Sequence, residues 1–138
     1  MIVEFPYRPE RAPGDQVIYR PVAKVIFYGP SGRAVTQLLY IDSGADHTVL
    51  PYRLGRYLGL DQLGGEVREI HGISGAVGVI YAAIDIELAG KRFTAQIAWA
   101  QLEEVPPLLG RTDIFDQFEI TFRQADKVVV FQPVKTRT

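Results

Sequence analysis

Apolar residues in this chain recur mainly at every second position, in short runs broken by glycine and proline. Ile84-Asp85-Ile86-Glu87-Leu88 alternates apolar with acidic side chains, as a half-buried strand does. Val79 to Leu88 reads as a long strand that turns at Ala89-Gly90-Lys91 and returns over Arg92 to Ala100. Earlier, Val22 to Tyr28 and Ala34 to Ile41 flank Gly29-Pro30-Ser31-Gly32 and form a hairpin. A last hairpin joins Phe118–Arg123 to Lys127–Phe131 across Gln124-Ala125-Asp126. Pro51 to Leu60 is the one clear helical stretch before residue 100, with Leu54, Tyr57 and Leu58 on one face and Gly59 to stop it. A short strand, Glu66 to Ile70, leads into His71–Gly78, whose glycines mark a hairpin tip. Arg111 to Asp116 is expected as a second short helix. The total, roughly seven or eight strands and one or two short helices, describes an all-β domain, either a closed barrel or a sandwich.

Prolines at 6, 9, 13 and 21 keep the first stretch extended or irregular. Residues 1–21 are therefore set apart as a proline-rich arm, 22–132 as the folded domain and 133–138 as a polar tail. Composition narrows the function. The 138 residues match one domain, and 15 basic against 16 acidic side chains leave no surplus charge for a nucleic-acid backbone. With no cysteine and two histidines, thiol chemistry is excluded and no metal site is expected. No window is apolar enough to span a membrane, and Met1 to Arg20 carries Glu4, Arg8, Glu10, Arg11 and Asp15 where a signal peptide needs an apolar core. A cytoplasmic location is the expectation.

Chemistry concentrates in Leu38-Leu39-Tyr40-Ile41-Asp42-Ser43-Gly44-Ala45-Asp46-His47-Thr48-Val49-Leu50-Pro51. An apolar strand runs straight into an acid, a hydroxyl and a glycine. Taken alone, Asp-Ser-Gly is an ordinary turn. The longer stretch resembles the active-site segment of retropepsin-like aspartic proteases. Two further elements of that family follow in order: the glycine-rich His71-Gly72-Ile73-Ser74-Gly75, in the place of a flap, and Leu108-Leu109-Gly110-Arg111, in the place of the second motif. The resemblance spans roughly residues 22–132 and implies a small closed β-barrel of the acid-protease type. It departs from retroviral members at its termini, where a proline-rich arm and a polar tail replace short interface strands, and looks more like cellular or prokaryotic single-domain members.

Residue by residue, the resemblance makes Asp42 the catalytic acid and Ser43 and Gly44 the support of its loop. Gly44, Ala45, Asp46 and His47, with Gly72, Ile73, Ser74 and Gly75 of the flap, would face substrate. Asp46 would pair with Arg111. Aspartic-protease chemistry uses two carboxyls sharing a proton, one acting as base on water and the other as acid toward the carbonyl. This chain carries one Asp-Ser/Thr-Gly triplet. The implied enzyme is therefore a homodimer cutting a peptide or protein substrate without any cofactor. The alternative on the same fold is a non-catalytic peptide-binding or dimerisation module.

Overall fold

The computed structural model describes residues 1–72 and 75–135. In chain order it contains β1 (Val3–Pro6), β2 (Arg8–Ala12), β3 (Gln16–Arg20), β4 (Val22–Tyr28), β5 (Ala34–Ile41), β6 (Thr48–Leu50), α1 (Tyr52–Leu58), β7 (Arg68–Gly72), β8 (Gly75–Leu88), β9 (Lys91–Ala100), β10 (Leu108–Leu109), β11 (Phe118–Arg123) and β12 (Val128–Pro133). Short 3-10 turns cover Leu60–Leu63, Phe115–Gln117 and Gln124–Asp126.

The main sheet runs β4-β5-β10-β6-β9-β8-β7, and β4 also pairs with β8. That extra pairing closes six strands into a barrel and leaves β7 as a flange on β8. Period-two alternation explains the interior. Val25 and Phe27 of β4, Leu39 of β5, Ile84, Ile86 and Leu88 of β8, and Ile97 and Trp99 of β9 are buried together. Tyr52 of α1 stacks on Trp99 and accepts its indole N–H at 2.9 Å through the main-chain carbonyl. Gly55 lets the helix come this close, because a Cβ there would lie 2.2 Å from the indole ring. Ile97 to Ala100 are buried without a break. Val49, Val79, Ala98 and Ala100 form a second cluster on the other face of the wall, covered by Ile70 and Val77.

The structure corrects three expectations. Twelve strands replace roughly seven or eight among the described residues. The helix expected over Arg111 to Asp116 shrinks to the 3-10 turn Phe115–Gln117. Asp113 sits at φ 66°, in the left-handed region, and its carboxylate accepts the Gln96 N–H at 2.9 Å, an arrangement that stops a helix there. The hairpin tip expected over His71–Gly78 is narrower than that span, because β7 and β8 pair from Arg68↔Val79 to Gly72↔Gly75.

The proline-rich first stretch is extended and fully engaged. β1 lies antiparallel on β12, β12 on β11, and β2 folds back on β3. Between them Tyr7 is buried and its N–H reaches the Lys127 carbonyl at 2.8 Å.

Candidate active site

Strand β5 delivers Asp42. Alternation sends Leu39 and Ile41 into the core and leaves Tyr40 and Asp42 on the outer side. The Asp42 N–H donates to the Leu109 carbonyl at 3.0 Å, which extends the β5–β10 pairing by one rung. Beyond it the chain turns, with the Ala45 N–H on the Asp42 carbonyl at 3.1 Å. The Asp42 carboxylate Oδ1 accepts the Gly44 N–H at 3.0 Å, closing an Asx turn that fixes the acid's orientation. Asp42 is half-buried, whereas Ser43 and Gly44 are exposed.

The second motif clamps this loop from behind. Strand β10 inserts between β5, to which it is parallel, and β6, to which it is antiparallel. Arg111 N–H then donates to the Ala45 carbonyl at 3.0 Å and Thr112 N–H to the Asp46 carbonyl at 2.8 Å. Gly110 crosses directly under the loop: a Cβ there would lie 2.3 Å from the His47 carbonyl carbon and oxygen. Its N–H donates at 3.1 Å to Oγ1 of Thr48, a fully buried polar side chain. Arg111 also forms an ion pair with Asp46, but the two side chains are 52% and 74% exposed. An exposed pair adds at most about 1 kcal/mol, so the loop's position rests chiefly on the main-chain bonds.

Two cavities flank the acid. One, of about 400 Å³, is bounded by Gly44 to His47 on the site loop, by Ile70 and His71 on the hairpin, and by Tyr81. The His47 ring packs edge-on against Tyr81 at 4.9 Å, with Nδ1 enclosed. The loop residues read from the sequence are thus brought together with the outer part of the β7–β8 hairpin. Gly72 and Gly75 form the hairpin's last described pair, while Ile73 and Ser74 lie outside the described residues. Among the described residues no group of three or more His, Asp or Glu side chains is placed to hold a metal ion.

The other cavity, of about 470 Å³, touches Asp42 itself and was not foreseen from the sequence. Its walls include Tyr40, Leu108 and Pro106, together with Glu10 and Arg20 from the β2–β3 hairpin. The Tyr40 hydroxyl donates to Glu10 Oε2 at 2.5 Å, and Arg20 Nε donates to Glu10 Oε1 at 3.0 Å. Accepting by Glu10 holds the Tyr40 phenol above its ordinary value, with burial and the nearby carboxylate charge adding to the effect. The only sequence signal for this wall was the strand period that pairs Tyr40 with Asp42 on one side.

The sequence matches no family model and no curated protein. Solved structures do match. A retropepsin-like aspartic protease from Rickettsia conorii is 13% identical, covers 94% of this chain and 98% of its own, and superposes with a TM-score of 0.64. EIAV protease, solved with an inhibitor, is 21% identical over 78% of this chain and 92% of its own, with a TM-score of 0.52. The retroviral protease-like domain of Ddi1 from Leishmania major is 18% identical over 82% of this chain and 95% of its own, with a TM-score of 0.54. At these identities the likeness is one of fold: the chain has the closed β-barrel fold of retropepsin-like aspartic proteases.

Proposed function

We propose that this protein is an aspartic endopeptidase whose active centre forms between the Asp42 carboxyls of two identical chains. One observation carries the reading. The chain holds Asp42 at the end of a barrel strand, orients it by the Gly44 N–H, and locks its loop by main-chain bonds from Leu109, Arg111 and Thr112. A catalytic group benefits from such support on rigid elements.

The chemistry follows from one carboxyl per chain. Two Asp42 side chains within hydrogen-bond range share a proton, because both cannot ionise easily side by side. The ionised one draws a proton from water as the water attacks the scissile carbonyl. The protonated one donates to that carbonyl's oxygen, and proton return to the amide nitrogen completes cleavage. An extended peptide would lie along the two cavities, held by main-chain bonds to the Gly44–Asp46 segment, with the β7–β8 hairpin closing over it to exclude water.

The test is cleavage of an unfolded protein or peptide library between pH 3 and 7. Wild type is expected to cut with a bell-shaped pH profile, since the pair needs one proton. Asp42→Asn is expected to abolish cutting, and retained activity in that variant would overturn the mechanism. Peptides that bind wild type and Asp42→Asn equally, and are cut by neither, would mark a binding module on this fold.

A further inference from the structure

The geometry points to the cavity beside Asp42 as a side-chain pocket built by the β2–β3 hairpin, selecting substrates with a hydrogen-bond-accepting Glu or Gln next to the scissile bond. This inference rests on Asp42 being the reacting acid and names what that site would take.

Three observations carry it. First, the cavity of about 470 Å³ has Asp42 in its wall, so a side chain filling it belongs to a residue at the bond being cut. Second, one flank is apolar, formed by Ile41, Pro106 and Leu108, which suits the methylenes of a long side chain. Third, the opposite flank is charged. The register pairs Arg8 with Arg20 across the hairpin, and Glu10 lies two residues along β2 on the same face. Glu10 is the more enclosed partner, its side chain 23% exposed against about half for each arginine. It is occupied by the Tyr40 hydroxyl and Arg20 Nε, with Arg8 Nε at 3.7 Å.

Donor inventory decides the ligand. The charged groups in the wall are Glu10, Arg20 and Asp42 itself, and Glu10 is already engaged by Tyr40 and Arg20, so the donors left on this flank belong to Arg20. Glu10 holds Arg20 by Nε, which aims the terminal amino groups of the fork without consuming them. A substrate Glu or Gln presents an oxygen to those donors. A substrate Lys or Arg would meet the Arg20 charge and find Glu10 already engaged. A Leu would strip water from the Glu10–Arg20 pair and return no hydrogen bond.

Two paired measurements test this. In the first, wild type and Arg20→Leu cleave matched peptides carrying Glu, Gln, Leu or Lys on either side of the scissile bond. Wild type is expected to favour Glu or Gln over Leu at least tenfold in kcat/KM at one of those positions. Arg20→Leu is expected to bring that ratio near one, and Arg20→Lys to restore part of it for Glu. A hairpin that merely supports the fold would lower all rates together and leave the ratio alone, which would overturn the assignment, as would a wild-type preference for Leu or Lys. In the second, fluorescence anisotropy measures the same peptides binding to Asp42→Asn with and without Arg20→Leu. If wild type cuts nothing, the protease reading fails. The pocket then stands if anisotropy still shows the Glu or Gln preference and its loss with Arg20→Leu, and falls if it does not.

Discussion

Gly110 has no side chain because there is no room for one. Its neighbour across the crossing is main chain, the His47 carbonyl at 2.3 Å and the Thr48 nitrogen at 2.8 Å from where a Cβ would sit, so no side-chain rotation relieves the clash. Gly110→Ala is expected to push β10 and the Asp42 loop apart, costing about 1–3 kcal/mol of stability by overpacking. Cleavage should fall further than stability alone explains. Urea titration followed by activity in the folded range separates the two. Thr48→Val tests the same crossing by chemistry rather than volume. It leaves the buried Gly110 N–H without its acceptor, for an expected loss of about 1–3 kcal/mol on the same titration. Tyr40 provides a pH test. Its raised value means that its contribution to stability is whole below the ordinary phenol value of 10.0 and is lost as pH rises through the raised one. Absorbance titration should show one late-ionising tyrosine that disappears in Tyr40→Phe and moves earlier in Glu10→Gln.

Strand elements were legible where one face meets the core and the other meets water. The hairpins of β4–β5, β8–β9 and β11–β12 follow from alternation and turn residues, and the first ends at Gly32, with φ 84°. The site segment was legible for a different reason: its residue types and order are rare together. Elements set by distant partners were not legible. Leu108–Leu109 is a strand because β5 and β6 lie on either side of it, and nothing local in Pro106-Pro107-Leu108-Leu109 encodes that. Likewise Val3 to Pro6 becomes a strand because β12 offers it an edge, which residues 3–6 alone cannot announce. Phe5 measures what that docking contributes. Its ring meets Phe131 edge-on at 5.4 Å, and Phe131 is fully buried. Phe5 itself is half-buried, so Phe5→Ala is expected to cost about 1–2 kcal/mol, read as a lower urea midpoint.

At the scale of the whole molecule, the proposed function requires two copies to meet. The strands near both termini are already spent within the chain: β12 has β1 on one side and β11 on the other. Terminal strands therefore cannot interleave between copies through β12 without first breaking a sheet that buries Phe131 and Val129. The β2–β3 hairpin, whose Glu10 and Arg20 line the cavity beside Asp42, also carries Val17, Ile18 and Tyr19, which are 55%, 41% and 45% exposed. Whatever the contact, a shared active centre makes a prediction that a self-sufficient chain does not. On the proposed function, Asp42→Asn is expected to keep the fold and exchange into pairs with wild type, and each mixed pair would have one carboxyl where that mechanism uses two. Adding excess Asp42→Asn to a fixed amount of wild type, with time for exchange, should suppress cleavage as wild-type pairs are diluted out. Specific activity should also fall on dilution, in step with the dimer fraction measured by sedimentation. Activity that scales linearly with wild type and ignores the added variant would place the complete chemistry within one chain, and the single Asp42 would then have to act without its twin.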